Sequence, residues 1–375
     1  MDMPRMRTLA LVTSALVLAR VAAYAWIAVP FGGLTDAVCQ YDCGWYVRLA
    51  VEGYQSDSQW DTLGPVPNWA FFPLYPMLIR GAIALTRLPP ELAGMLVANL
   101  LFIGFVLAGA VYLRRTRPTL DPMLWVLFAV LFPFGFTFSV PYTESLFALL
   151  TIGTLLALQR ERLLLAAGLT ALLCATRPTG VLLIPVILAV CATKLWRERH
   201  APDRLHTLSQ VLLPIAVAPL GLSLFMLYQY VVIGDALAFS HVQLLWGREW
   251  RGPLYWLTDG ITAWDWGNML HPNGYPSKTY DCAWTLLGLG VAARLAWQRR
   301  FAEAWLLAGT IVLPLSTALH SLPRFVATSP FFLFACCSAL APISSLRWRA
   351  VLAGGLGLVQ GAVVVGWYIS SNALY

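Results

Sequence analysis

Charge is what this chain has least of. Only 11% of its 375 residues are Asp, Glu, Lys or Arg, while 59% are hydrophobic. The mean hydropathy is +0.69. A soluble domain carries about 25% charged residues, so there is too little charge here to cover a water-facing surface. Several short motifs are missing too. No H-E-x-x-H, C-x-x-C, G-x-S-x-G or Walker loop occurs, which removes zinc hydrolases, serine esterases and nucleoside-triphosphate pumps. No N-x-S/T sequon, internal repeat or low-complexity tract is present. The lack of sequons and the Ala- and Arg-rich composition point to a bacterial plasma membrane over an endoplasmic reticulum.

What is there is apolar runs near the length of a bilayer-spanning helix, about 20 residues. Candidate spans are 8–30, 91–113, 121–140, 141–159, 163–176, 179–196, 208–233, 281–298, 301–319, 326–344 and 349–369. The expected class is therefore an all-α polytopic membrane protein, one domain over 1–375 with about eleven spans. Arg5, Arg7 and Ala23-Tyr24-Ala25 imitate a signal peptide. The apolar run continues to Pro30, which suits an uncleaved signal anchor.

The net charge of +7 reads as topology and implies no nucleic-acid partner, because basic residues collect on the cytoplasmic side. Segment 70–85 is the awkward one, since Pro73 and Pro76 break its first turns. Left as an interfacial or re-entrant piece, it lets every basic cluster fall on one side: Arg5/Arg7, Arg114/Arg115/Arg117, Arg160/Arg162, Lys194–Arg204, Arg299/Arg300 and Arg347/Arg349. The N-terminus is then cytoplasmic. The other face receives two long loops, 31–90 and 234–280, the Ser139–Glu144 turn, the Arg177-Pro178 break and His320–Arg324. Gly357 and Gly361 form a small-xxx-small pair that reads as helix packing.

Cys174, Cys191, Cys336 and Cys337 lie in apolar runs and read as small hydrophobes. Cys39, Cys43 and Cys282 fall toward the extracytoplasmic face, and the sequence leaves open whether any two of them pair. Around the first two runs the stretch CQYDCGWYVRLAVEGY, 39–54. Read as a helix, it sets Asp42, Trp45, Tyr46, Leu49, Ala50 and Gly53 on one stripe, with Arg48 and Glu52 paired four apart elsewhere. A short amphipathic helix in the membrane interface results. Asp42 is either its N-cap or a catalytic acid, and spacing does not choose between them.

The stretches YDCGWYVRLAVEGY and NWAFFPLYPMLIR, followed in order by FPFGFTFSVPYTESLFALL at 132–150, ATRPTGVLLIP at 175–185 and LPRF at 322–325, resemble the PIG-V family of mannosyltransferases. The similarity covers most of the chain and fades beyond residue 345. Where that family usually has Trp before the acid, this chain has Tyr41, a departure that bears more on substrate than on fold. The resemblance implies a GT-C glycosyltransferase fold and a polyprenyl-phosphate mannose donor. It also implies a glycolipid or glycan acceptor on the extracytoplasmic face, and Asp42 as catalytic base. A base of this kind must reach the acceptor hydroxyl, and fixed cations must meet the departing phosphate.

Arg177 and Arg324, both inside resembling stretches, are the expected phosphate ligands, because arginine's planar fork suits phosphate oxygens. Arg248 and His320 are further candidates on the same face, and lipid-headgroup anchoring is the alternative for the arginines. Tyr46, Tyr142, Glu144, His241, Trp45 and Trp246 are expected on the acceptor or sugar side. Glu144 equally suits a helix N-terminus, and eight of the 16 Trp, Trp60 among them, lie in the two long loops, where interfacial anchoring is the commoner cause. Arg20, inside the first span, is expected to pair with a bundle acid. No cofactor or metal is required, although Asp36, Asp57 and Asp61 share the first loop and leave a divalent cation open. The rival function is a lipid-linked-sugar transporter or flippase, whose charges would sit at the midplane in internal repeats; a lipid-linked oligosaccharide ligase is the third reading.

Overall fold

All regular structure among the described residues is helical. The computed structural model describes residues 3–55, 67–199, 204–267, 277–343 and 345–369; Asp57, Trp60 and Asp61 lie outside them. The helices are α1 (Met3–Ala28), α2 (Leu34–Val38), α3 (Asp42–Glu52), α4 (Leu74–Thr86), α5 (Pro90–Thr116), α6 (Pro122–Leu131), α7 (Glu144–Leu158), α8 (Leu163–Cys174) and α9 (Leu183–Arg197). They continue with α10 (Arg204–Val217), α11 (Leu220–Ile233), α12 (Ala238–His241), α13 (Pro253–Thr262), α14 (Lys278–Trp297), α15 (Phe301–Leu315), α16 (Leu322–Ala327), α17 (Pro330–Ala339) and α18 (Leu346–Tyr368).

Four stretches are long and apolar enough to cross a membrane: Arg5–Phe31, Pro90–Thr116, Pro178–Arg197 and Leu346–Tyr368. A fifth counts if Thr207–Val217 and Leu220–Ile233, bent by 42°, form one span. The expected eleven do not emerge as eleven long helices. Proline divides two of them, since it cannot donate to the helical ladder and clashes with the preceding turn. Expected span 121–140 divides into α6 and a 3-10 turn over Pro133–Phe138. Span 326–344 is divided between α16 and α17 before Pro330. Segment 70–85 becomes α4, 13 residues or about 20 Å at 1.5 Å per residue, short of the roughly 30 Å hydrocarbon core. Pro73 and Pro76 start this helix instead of breaking it, because its first turn has no internal acceptor for their missing N–H groups.

Helix α5 is the hub. It begins on Pro90 and Glu91 and ends on Arg114 and Arg115, charges that complement the helix dipole at both ends. It packs against α1, α4, α6 and α7 through buried Phe102, Phe105, Val106 and Ala110. Gly109 lets the Trp125 indole lie against the backbone, where an added Cβ would come within 2.9 Å of the ring. The indole N–H donates to the Val106 carbonyl at 2.8 Å.

One expectation changes here. Among the described residues Arg20 meets no acid: its guanidinium donates to the Val130 and Gly135 carbonyls and to Asn99 Oδ1, and lies 4.4 Å from the Phe102 ring centre. Carbonyl dipoles and a ring face solvate the cation in place of a carboxylate. Of the small-xxx-small pair, Gly357 faces α6, where an added Cβ would lie in ordinary contact with Leu131 at 3.9 Å, whereas among the described residues an added Cβ at Gly361 would meet nothing within 4 Å.

Candidate active site

The Cys39–Cys43 disulfide staples the turn that introduces α3, leaving Cys282 as a buried free thiol. Inside that staple Tyr41 has φ 50°, a region few bulky residues occupy and one often kept where function requires it. The Tyr41 ring meets Trp367 of α18 edge-on at 5.2 Å. Tyr41 takes the cap position, without a side-chain capping bond, and Asp42 is the first helical residue. Helix α3 buries Cys43, Tyr46, Val47, Leu49 and Ala50, three of which belong to the expected stripe. Arg48 and Glu52 pair at 3.6 Å on the exposed side. Gly53 ends the helix with φ 85°, a conformation glycine reaches without steric cost.

Asp42 points at a residue 282 positions away. Its Oδ2 accepts from Arg324 Nη1 at 3.0 Å. Arg324, in the first turns of α16, also sets its Nε 3.6 Å from Glu144 Oε1. The same Glu144 oxygen meets Arg177 Nη2, and Arg177 Nε donates to Thr143 Oγ1. The four charges thus alternate in a row: Asp42, Arg324, Glu144, Arg177. Exposure sorts the two acids. The Glu144 side chain is 0% exposed and the Asp42 side chain 26%, so of the two acids Asp42 is the one open to the surroundings.

Arg177 arrives at this row through a break in the helices. Helix α8 ends at Cys174, Arg177 is extended with φ −157° and ψ 152°, and a 3-10 turn follows from Pro178. A residue before proline is driven to this conformation. The break is tied down by the Leu74 N–H, which donates to the Ala175 carbonyl at 3.1 Å. Gly180 lets the turn press onto α8, since a Cβ there would sit 2.6 Å from the Leu173 backbone.

Arg248 and His320 stand beside the row. Arg248 Nη2 donates to Ser321 Oγ at 3.2 Å. The loop carrying Arg248 is held on the turn that follows α15 by Glu249 N–H to the Thr317 carbonyl and by Arg251 and Gly252 N–H to the Ser316 carbonyl. Burial, with Arg248 and Arg324 adding to it against the pull of Asp42, lowers the His320 imidazole to about 4. It is neutral near pH 7 and offers a hydrogen bond in place of the cation expected from sequence.

The aromatic candidates form a wall. Trp45 stacks on Phe71 at 5.6 Å and meets Trp246 edge-on at 5.9 Å. Tyr46 lies edge-on to Phe71 and Tyr75 and hydrogen-bonds Thr143; burial raises its phenol to about 12, against Arg177 and with Asp42 and Glu144. Tyr142 places its ring 5.1 Å from the Arg324 guanidinium and donates its hydroxyl to the Gln40 carbonyl at 3.1 Å. His241 is placed differently, on an exposed corner with Nδ1 2.6 Å from Asp235 Oδ2.

Sequence reading passed over Thr143, Ser321 and Phe71. Thr143 carried a usable signal, being the hydroxyl next to a candidate acid in PYTES. Phe71 carried one too, lying within NWAFFPLYPMLIR, whereas Ser321 carried none. Among the described residues no three or more His, Cys, Asp and Glu side chains gather as a metal site would require.

No protein-family profile and no curated protein matches the sequence, so the PIG-V resemblance rests on the quoted motifs. The chain is similar to solved structures of an oligosaccharyltransferase from Archaeoglobus fulgidus. The apo form gives a TM-score of 0.44 at 10% identity, covering 96% of this chain and 56% of that one. A complex with zinc and sulfate gives 0.44 at 11%, covering 93% and 53%. The archaeal oligosaccharyltransferase AglB, bound to an inhibitory peptide and a dolichol-phosphate, gives 0.39 at 11%, covering 97% and 56%. This chain therefore spans little more than half the length of those proteins.

Proposed function

We propose that the chain is an inverting membrane glycosyltransferase of the GT-C type. It moves mannose from polyprenyl-phosphate mannose to a glycolipid or glycan acceptor at the extracytoplasmic face. The observation that carries this reading is the row Asp42–Arg324–Glu144–Arg177, assembled from four stretches far apart in sequence. These are the stretches in which the PIG-V resemblance lies. An accessible carboxylate beside paired arginines suits a reaction that takes a proton at one end and releases a phosphate at the other.

In this mechanism the Asp42 carboxylate accepts the proton of the acceptor hydroxyl. The freed oxygen forms its bond to the anomeric carbon on the face opposite the phosphate. The bond from that carbon to the phosphate oxygen breaks, configuration inverts, and the electron pair leaves with polyprenyl phosphate. Arg324 and Arg177 receive the charge that the leaving phosphate gains, and Arg248 lies at the near edge. Trp45, Phe71 and Trp246 supply flat apolar faces against which a sugar ring can stack.

The test is to incubate purified protein in bilayer nanodiscs with radiolabelled polyprenyl-phosphate mannose, the corresponding glucose donor, and total lipid extract. Transfer from the mannose donor to an extractable lipid or glycan is expected. No transfer from either donor overturns the reading, and transfer of glucose alone overturns the mannose assignment.

A further inference from the structure

Glu144 is the most deeply enclosed charge of the row, and the mechanism above gives it no substrate to touch. It opens α7, yet its side chain is 0% exposed while its Oε1 forms an ion pair with Arg177 Nη2 and lies 3.6 Å from Arg324 Nε. An acid in the first turn of a helix is ordinarily solvated. Sealing one costs free energy that only well-placed partners offset. Its neighbour Thr143 completes the arrangement, because Thr143 Oγ1 accepts from Arg177 Nε while Glu144 takes Nη2 of the same guanidinium. Two consecutive side chains therefore occupy one whole edge of the Arg177 fork. The rings of Phe147 and Phe325 lie 5.5 and 5.7 Å from its central carbon, restricting the remaining freedom.

We infer that Thr143 and Glu144 are positioning residues: together they fix the inner edge of Arg177 and present its outer Nη edge to the donor phosphate, while the Glu144 charge, 3.6 Å from Arg324 Nε, draws that guanidinium to where its Nη1 meets Asp42. This rests on the glycosyltransferase reading and extends it, since it gives Glu144 to the arginines and withdraws it from acceptor contact. A guanidinium binds phosphate best when two of its N–H groups are fixed in parallel. With the inner edge released, Arg177 keeps its charge and loses its aim.

The experiment uses the full chain in nanodiscs and two readouts: binding of polyprenyl phosphate, which needs no turnover, and the Michaelis constants for donor and acceptor separately. Glu144→Gln should weaken polyprenyl-phosphate binding and raise the donor constant about tenfold or more, the scale of one charge-assisted hydrogen bond. The acceptor constant should stay within about twofold, a range far below that tenfold step. Thr143→Val should act in the same direction and more weakly, and Thr143→Ser should restore wild-type values. In an Arg177→Lys background Glu144→Gln should add less than its separate effect, as coupled residues do. If Glu144→Gln fails to fold, the Thr143 pair decides. Wild-type donor binding in Thr143→Val and Glu144→Gln, or an effect confined to the acceptor constant, overturns the positioning role. Wild-type protein that binds polyprenyl phosphate but transfers no sugar overturns the activity alone, and wild-type protein that binds none overturns both.

Discussion

Replacing Asp42 by Asn separates a catalytic base from a structural ion pair, because the two roles predict changes of different size. The Asp42 side chain is 26% exposed and meets Arg324 at 3.0 Å. Asn keeps the shape and still offers an oxygen to that guanidinium. The loss is the difference between a charged and a neutral hydrogen bond in a partly solvated place, on the order of 1 kcal/mol. Arg324 also retains Glu144, so it is not left as a bare buried cation. The rate should suffer far more. Removing a general base costs about 10²–10⁴-fold, or roughly 3–5 kcal/mol of barrier. The assay is transfer of labelled mannose at saturating donor and acceptor, with a thermal unfolding curve and polyprenyl-phosphate binding on the same preparation. Expected is a near-normal unfolding curve, retained binding and turnover at or below about one hundredth of wild type. Turnover within threefold of wild type would sink the base assignment. A large fall in folded protein that matches the fall in rate would make Asp42 structural.

Other consequences follow from neighbouring contacts. Arg177→Lys should not rescue the site, because an ammonium cannot span Thr143, Glu144 and a phosphate at once; donor titration should show at least about a tenfold loss in affinity or turnover for Lys and Ala alike, and a Lys variant equal to wild type refutes the fork. Replacing Cys39 and Cys43 by Ala frees the turn that aims Asp42, so turnover should drop several-fold with α-helical circular dichroism unchanged; unchanged turnover makes the staple irrelevant to catalysis. His320 titrates at about 4 in the folded chain against about 6.5 unfolded, so the unfolded state binds the extra proton first. Stability is then fully present above about 6.5 and is lost as pH falls toward 4. His320→Gln should flatten that slope in melting temperature between pH 6.5 and 4, and an unchanged slope refutes the assignment.

The legible parts of this molecule are the local ones. The amphipathic α3 was visible because its apolar positions recur at helical spacing within a dozen residues, and the Arg177 break was visible because Pro178 constrains its own neighbour. Span lengths were less legible. Hydropathy measures how apolar a stretch is, whereas Pro133, Pro178 and Pro330 decide where the ladder stops. Arg20 was misread for a related reason: an arginine in a span implies a partner, but carbonyls at Val130 and Gly135 served as well as an acid.

The pairing of the site charges was not legible at all, since Asp42 and Arg324 are 282 positions apart and Glu144 by itself looks like any acid at a helix start. Arg324 is buried and Arg177 half-buried, and unlike Arg20 they meet carboxylates, which offset the cost of an ion in low dielectric. Two carboxylates and two guanidiniums in alternation do so before any substrate arrives. The inner members should therefore matter most to folding. Glu144→Ala leaves Arg324, buried, and Arg177, half-buried, without the acid between them and should lower the yield of monodisperse protein most. Arg324→Ala leaves a fully buried Glu144 with Arg177 alone and should come next, on the order of the 3–5 kcal/mol typical of a broken buried pair. Asp42→Ala, at the solvated end, should cost least. Size-exclusion profiles of the three variants purified in parallel give the order, and an Asp42 variant that misfolds more than the Glu144 variant would show that the row is not anchored from the inside.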